Sequence, residues 1–568
     1  MKRIWKNRTA ETPKPADLFE QILKHRGVVD GVTRKKFLEA SFSDTYDPFL
    51  LKDMDKAADR VLSAIANKEK ITVYADYDAD AVTAAAVLVR FFKQLGHENL
   101  NYYIPDRFSE GYGINREAVK VLSDSGTNLI ITVDCGINAI EPALEAKLLG
   151  VDVIITDHHR LTGPLPEALA VVNPHRPADE YPCKDLTGVG VAFKLVQALV
   201  FKIKNQKLKI KNTEGWEKWL LDLVAIGTVA DCQSLLGENR IFVKWGLRVL
   251  EKTKWPGLRD LLKVAGVWES PLDTYKIGFI IAPRINAAGR IEHANLALEL
   301  VLTDDLKRAR ELAQKLDDLN RKRQELTETV LSEAREQLVG DTDKKILLAA
   351  GDNWPKGIVG LVAGKLTEEF ARPVLVMEKG VSEATGSARS VGNFNIIEAI
   401  SQSREILIKF GGHPMAAGFT LRSEHIELFH KNLLEYAEDS MDEEDLSPIL
   451  FYDGEAVLPD VTEDLVNFLE QLAPFGLGNP RPRVRINNLT PRNPAKIGSD
   501  GRHLRLYVGE GEHSFSCIGF NQGFWVEKLQ AGSQIDIICE PQFNEWNGER
   551  KVQLKIIDIC ESQNLSSG

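Results

Sequence analysis

Cysteine is scarce in this chain: six residues out of 568 (Cys135, Cys183, Cys232, Cys517, Cys539, Cys560), no two of them in a C-x-x-C pair. That argues against a disulfide framework and a thiolate zinc site, and makes a reducing cytoplasm the expected compartment. No stretch approaches the ~18 unbroken apolar residues of a membrane span. The opening MKRIWKNRTAETPKP is basic but lacks the apolar core of a secretory signal. An excess of positive charge is missing too. With 71 basic against 82 acidic residues the formal net charge is −11, so the chain is no general polyanion binder. Nucleic acid would have to be met by local basic patches, or by metal ions that neutralise carboxylates. What is present is ordinary for a globular protein with real cores, 43% hydrophobic and 27% charged residues. At about 150 residues per domain the length suggests three or four domains.

Residues 1–50 are mixed and proline-interrupted, and are expected to form a short helical extension. From 51 the text is α/β. Ile71–Ala75 (ITVYA), 128–133 (NLIITV) and 151–156 (VDVIIT) read as buried strands separated by helical stretches, which implies a parallel sheet over 51–303. Between 304 and 340 the apolar positions Leu306, Ala309, Leu312, Ala313, Leu316, Leu319, Leu326 and Val330 recur at helical spacing without Gly or Pro before Gly340. One helix of about 50 Å is expected there, bridging two lobes. A second α/β lobe is expected over 341–445, ending in the acidic EYAEDSMDEED. The remainder, 446–568, is strand-rich with a hairpin signal at Asn547-Gly548, and is read as a small β-barrel. The lysine-rich FKIKNQKLKIKN (201–212) reads as a solvated insertion, with contact to DNA as the alternative.

Asp76-Tyr77-Asp78-Ala79-Asp80 follows the first strand directly. In extended chain, residues two apart project to one side, so three carboxylates are expected to share a small volume. Two such charges ~6 Å apart repel by roughly 3 kcal/mol at an effective dielectric near 20, which favours a fold that places cations between them. The bland alternative is a solvated turn with Asp80 as a helix N-cap. Recurrence weakens it, because the second strand ends in Asp134-Cys135-Gly136 and the third in Asp157-His158-His159. Parallel strands deliver their C-terminal ends to one crevice. A helical apolar stretch ending at Asp231 adds a further carboxylate. Oxygen and imidazole donors without thiolate suit Mn²⁺ or Mg²⁺.

Taken together, DYDAD, VDCG, the DHH triplet and GTVAD resemble in order and spacing the four metal motifs of the DHH phosphoesterase superfamily. PDRFSEGYG (105–113), APRINAAGR (282–290), GSARS (386–390), GGHPMAAGF (411–419) and LAPFGLGNPRP (472–482) narrow the resemblance to its bacterial single-strand-specific 5′→3′ DNA exonucleases, across about residues 50–560. The resemblance implies a DHH catalytic domain, a DHHA1-like lobe and a C-terminal OB-fold. It implies that Asp76, Asp78, Asp80, Asp134, His158, His159 and Asp231 hold two divalent cations, Mn²⁺ or Mg²⁺. Asp76, Asp157 and His159 would be catalytic, with Asp157 orienting the first histidine. Arg107, Arg290, Ser387, Arg389, Ser390 and His413 would hold DNA phosphate, His413 from a loop. Single-stranded DNA is the implied substrate, in recombination and repair, with single-strand-binding protein and a RecQ-type helicase as partners of a monomer.

In the barrel, Phe475, Phe524, Trp525, Phe543 and Trp546 are available for stacking, and Arg481, Arg483, Arg485 and Arg492 for phosphate. The glycines of GIVGLVAGK (357–365) miss the P-loop spacing and read as close helix packing. Ala75 and Ala81 stand where the family shows glycine, and Ser234 where it shows proline. Two other readings stay open: a DHH phosphodiesterase of oligoribonucleotides or cyclic dinucleotides, and a non-catalytic single-strand-binding scaffold.

Overall fold

The computed structural model describes residues 3–8, 18–107, 109–205, 214–442, 446–530, 532–546 and 548–562. Asn547, residues 206–212 of the lysine-rich stretch and 443–445 of the acidic stretch lie outside them. The chain forms two compact units. The first comprises 1–4, 48–231 and 248–448; the second comprises 5–47, 232–247 and 449–568.

The first lobe of the larger unit is built on a five-stranded, all-parallel sheet. Its order is Leu100–Tyr103, Ile71–Ala75, Leu129–Val133, Asp152–Thr156, Ala170–Val172. ITVYA and LIITV are buried at every position, as strands covered on both faces must be, so they read as unbroken apolar runs. Leu100–Tyr103 and Ala170–Val172 escaped the sequence reading. The first is half-buried throughout and the second has only three residues, too short for any period to show. The chain winds outward in opposite directions from the adjacent strands Ile71–Ala75 and Leu129–Val133. In an open α/β sheet that reversal opens a crevice beyond the carboxyl ends of the two strands.

Helix Leu306–Leu338 runs for 33 residues from an Asp305 cap that accepts the backbone N–H groups of Lys307 and Arg308. Its first half buries Ala309, Leu312, Ala313 and Leu316, while Val330, Leu331, Ala334 and Leu338 enter the second lobe's core. The second lobe has a mixed sheet in the order Leu407–His413, Ala416–Arg422, Glu383–Arg389, Val374–Lys379, Leu347–Gly351. Helix Lys356–Phe370 packs on it.

In the smaller unit a seven-stranded mixed sheet runs Gly454–Glu455, Val484–Leu489, Ile535–Trp546, Glu549–Glu561, Phe515–Gly519, His503–Val508, Arg492–Ile497. Its core takes in Leu18, Ile22, Leu23 and Phe37 from the N-terminal helices Leu18–His25 and Gly31–Glu39. Buried Arg240 ties three stretches of chain together. Its guanidinium donates to the carbonyls of Phe37 (2.7 Å), Leu472 (2.7 Å) and Ala473 (2.8 Å).

Candidate metal centre

The aspartates of DYDAD converge by a different route from alternation along a strand. Asp76 follows the strand, Asp78 caps helix Ala79–Gln94 by accepting the N–H of Ala81 at 3.0 Å, and Asp80 lies in that helix's first turn. The cap is therefore Asp78, and Asp80 points inward. Asp80 is 1% exposed and accepts the backbone N–H groups of Gly188 (2.7 Å) and Val189 (2.9 Å) at the start of helix Gly188–Asn205. Asn286 accepts the N–H of Ala79 at 2.7 Å and fixes the same turn.

Asp134 leaves the next strand in left-handed backbone, φ 59°, an uncommon state for a non-glycine residue and one that clusters at functional sites. Its N–H still bonds Thr156 O at 3.0 Å, so strain is accepted while the ladder between strand ends is kept. Gly188 makes room for it. A Cβ there would stand 2.4 Å from Asp134 Cβ. Asp231 closes the centre from the C-terminal end of helix Leu221–Ala230.

His158 is the hub. Its Nε2 lies 3.0 Å from Asp134 Oδ1, 3.7 Å from Asp231 Oδ2 and 4.0 Å from Asp80 Oδ2. Two donor groups result, Asp134–His158–His159 and Asp80–His158–Asp231, each with atoms within 4.8 Å of one another. Asp157 stands behind them. Its carboxylate accepts from the backbone N–H groups of Ile137, His158 and His159, and lies 2.8 Å from His159 Nδ1. The ring it orients is thus that of the second histidine, not the first. The Tyr112 hydroxyl, from the PDRFSEGYG loop, is 3.3 Å from His159 Nε2, and Asn173 Nδ2 donates to His159 O at 2.9 Å.

Electrostatics make this cluster a poor resting place for bare carboxylates. Burial, then the charge of Asp78, pushes Asp76 up to about 8. Burial, then Asp134 and Asp231, raises Asp80 well above the carboxylate range; burial, then Asp78 and Asp231, does the same to Asp134. Asp157 is the exception: burial opposes its ionisation, but the His159 hydrogen bond and both histidines hold it below the ordinary range. Asp76 Oδ1 and Asp134 Oδ1 are buried without hydrogen-bond partners. Converging carboxylates and imidazoles, two unsatisfied buried oxygens and mutual repulsion fit a divalent cation with hard ligands. Cys135 is fully buried and its thiol is pushed up by burial, so sulfur is no part of the donor set.

Basic side chains gather near this centre. The Arg107 guanidinium sits 4.6 Å above the Tyr77 ring. Arg290 donates to Gly357 O at 3.0 Å, and burial followed by the charges of Arg107 and Arg323 lowers it to about 10. Gly357 permits this junction between the lobes, since a Cβ there would lie 2.5 Å from Arg290 O. Gly360 sits against Ser387 and Arg389, where a Cβ would lie 3.2 Å from Ser387 Oγ and from Arg389 Nη2. Gly357 and Gly360 thus provide the close packing read from GIVGLVAGK, whereas Gly364 faces open space.

Three readings need correction. His413 is no loop residue but ends strand Leu407–His413, exposed and paired with Ala416, because the glycines before it allow a tight hairpin. Ser390 is buried, its hydroxyl given to Phe394 O at 2.6 Å. The arginines expected to bind phosphate from the barrel are engaged within their unit. Arg481 pairs with Glu470 (2.6 Å), Arg483 with Glu540 (3.3 Å) and Arg485 with Asp536 (3.0 Å), and Arg492 donates to Gly509 O. Of the aromatics, Phe475 and Trp525 pack on the core and Phe543 lies under Arg550. Phe524 is 51% exposed, and the Trp546 side chain is outside the described residues.

Family models match three stretches: DHH family, N-terminal domain (70–228), DHHA1 domain (343–439) and RecJ OB domain (452–558). The single-stranded-DNA-specific exonuclease RecJ of Bacillus subtilis (strain 168) is 40% identical over 551 residues, covering 96% of this chain and 68% of that protein. Its counterpart from Dickeya dadantii (strain 3937) is 33% identical, covering 96% and 97%. The crystal structure of RecJ in complex with Mn²⁺ from Thermus thermophilus superposes with a TM-score of 0.82 at 28% identity, covering all of this chain and 80% of that one.

Proposed function

The chain belongs to the RecJ family of single-stranded-DNA-specific exonucleases, and on that premise we propose that it hydrolyses single-stranded DNA from the 5′ end with two divalent cations, Mn²⁺ or Mg²⁺. The observation that supports this most directly is the meeting of Asp80, Asp134, His158 and Asp231 within 4.0 Å of His158 Nε2. The relative from Thermus thermophilus is named with Mn²⁺ in one structure and Mg²⁺ in another.

Asp76, Asp78, Asp80, Asp134, His158, His159 and Asp231 are the proposed ligands. Cations held there supply Lewis-acid polarisation of the phosphodiester and a lowered pKa for water. Asp157 fixes the tautomer and angle of His159, as carboxylates behind metal-bound imidazoles do. Arg107, Arg290 and Arg389, with Ser387, hold the DNA backbone, guanidinium being the group that grips phosphate bidentately. Ser390 and His413 are left out of that set: the Ser390 hydroxyl donates to Phe394 O, and the His413 ring stands at a strand end. The working division is 51–303 for the DHH domain, 304–340 for the connecting helix, 341–445 for the DHHA1-like lobe and 446–568 for the OB-fold. A cytoplasmic monomer working with single-strand-binding protein and a RecQ-type helicase is the proposed setting.

End-labelled single-stranded, double-stranded and RNA oligomers with Mn²⁺, Mg²⁺ or chelator test the reading. Nucleotide release from the 5′ label of single-stranded DNA alone is expected, abolished in Asp134→Ala and His158→Ala. Cleavage restricted to short RNA would favour the oligoribonucleotide reading, and failure on every substrate the scaffold reading.

A further inference from the structure

The stretch LAPFGLGNPRP (472–482) is built as a stiff turn. Asn479 is fully buried and donates from Nδ2 to Leu472 O (2.7 Å) and Pro474 O (2.8 Å), while its backbone exchanges hydrogen bonds with Gly476 (2.9 and 3.1 Å). Arg26 donates to the Asn479 side chain and to Pro480 O, and Arg240 to Leu472 O and Ala473 O. These bonds present the tip, Gly476-Leu477-Gly478, in one conformation. The Leu477 side chain is 65% exposed, so the tip works through its backbone.

What the tip meets is the chain that has just left the metal centre. Asp231 is the last residue of its stretch in the larger unit, and Cys232 opens the next stretch, in the smaller one. Cys232 turns in left-handed backbone, φ 55°, a state that persists in non-glycine residues where the surroundings over-determine it. On one side the N–H of Asp231 bonds Gly227 O at 2.9 Å, where helix Leu221–Ala230 ends. On the other, the N–H of Leu235 donates to Leu477 O at 2.8 Å, and Asn239 Nδ2 donates to Ser234 O at 3.0 Å. The tip comes this close because Leu477 lies between two glycines. A Cβ on Gly476 would stand 2.6 Å from Leu235 Cδ1, and one on Gly478, whose φ is 72°, would stand 2.4 Å from Ser234 Oγ. Ser234 occupies the place where the family shows proline. Hydrogen bonds to the tip and to Asn239, rather than a ring that fixes φ, therefore hold this segment.

We propose that the tip 476–478 is a positioning element for the metal centre: by holding Ser234 and Leu235 it fixes the bend at Cys232, and with it the direction in which Asp231 offers its carboxylate. The smaller unit thus sets the metal affinity of the larger one through the chain that joins them at 231–235. The inference rests on the reading of Asp231 as a ligand. Asp231 is the donor that needs such support. Asp80 is locked by the backbone N–H groups of Gly188 and Val189, and Asp134 by the ladder at its strand end. Asp231 sits where its helix stops, so its orientation follows from what the chain does next.

The test uses the full chain. Mn²⁺ is titrated into the protein without DNA, and the free ion is followed by its electron paramagnetic resonance, so that binding is read apart from catalysis. Gly478→Ala is expected to weaken Mn²⁺ binding about tenfold, the low end for loss of a group behind a metal ligand, and to lower Tm because alanine is strained at that φ. The nuclease rate falls at limiting Mn²⁺ and returns to within about twofold of wild type at saturating Mn²⁺, with KM for DNA unmoved. Gly478→Ala/Ser234→Gly removes the atoms that the new methyl meets. It is expected to recover Mn²⁺ affinity while Tm stays low, a pattern that a merely structural role does not give. Gly476→Ala, whose backbone lies outside the left-handed region, serves if Gly478→Ala fails to fold. Wild-type Mn²⁺ binding in both folded glycine variants would overturn the proposal. So would affinity that stays low in the double variant. Asp231→Asn separates the two readings. Wild-type Mn²⁺ binding in that variant refutes the ligand assignment and the proposal with it, whereas weak binding there beside normal binding in the glycine variants refutes the positioning role alone.

Discussion

Asp157 shows how much a single residue does without facing the ions. Four contacts fix its carboxylate, and its charge keeps the His159 ring in one tautomer. Asp157→Asn preserves shape but not charge; Mn²⁺ affinity and activity should each fall roughly 10- to 100-fold, read by metal titration of the nuclease rate. Gly188→Ala should be worse, since the added carbon lands within 2.6 Å of three Asp134 side-chain atoms; loss of Mn²⁺-dependent activity with a lowered melting temperature is expected. At this scale the aspartates and histidines were legible because they recur at strand ends. Asn286, Asn173, Gly188 and Tyr112 were not. Each acts through contacts that only the fold brings together, which leave no periodic trace in the sequence. Arg323, whose buried Nε lacks a hydrogen-bond partner, is lost to inspection among the many charges of a solvated helix.

Among the elements, helix Leu221–Ala230 is the most exacting. Asp222 in its first turn is fully buried, accepting Thr253 Oγ1 at 2.7 Å and Trp255 Nε1 at 3.3 Å, and burial pushes it up to about 6. The folded state therefore holds its proton more tightly than the unfolded chain, where an aspartate titrates near 3.9. Its contribution is fully present below about pH 4 and is lost as pH rises through about 6, a change of up to about 3 kcal/mol. Asp222→Asn cannot ionise, so the difference in urea stability between variant and wild type should shift in the variant's favour from pH 4 to 6 and then stay level. A flat difference across that range would contradict the assignment. Elements were legible where burial is two-sided or the repeat is long, as in ITVYA and helix Leu306–Leu338. They were obscure where the strand is short, as at Ala170–Val172, or where glycines mask it, as at Gly411-Gly412.

For the whole molecule, the net charge of −11 and the crowded carboxylates make cations a stabilising ligand. Each Mn²⁺ bound at 100 times its dissociation constant should stabilise the larger unit by about 2.7 kcal/mol. Calorimetry should show a transition raised by added Mn²⁺, lowered by chelator, and indifferent to both in Asp134→Ala.

The smaller unit is assembled from three separated stretches, 5–47, 232–247 and 449–568, and this has a bearing on biosynthesis. Its opening helices leave the ribosome some four hundred residues before the strands that bury Leu18 and Phe37. At 5–20 residues per second that is a wait of roughly 20–80 s. Until then those apolar faces are exposed to chaperones and proteases. A chain released early, at a premature stop between Arg240 and Leu472, keeps the Arg240 guanidinium but never makes two of its carbonyl acceptors. Nascent-chain protection from proteolysis should accordingly appear at the N-terminus only when synthesis is nearly finished.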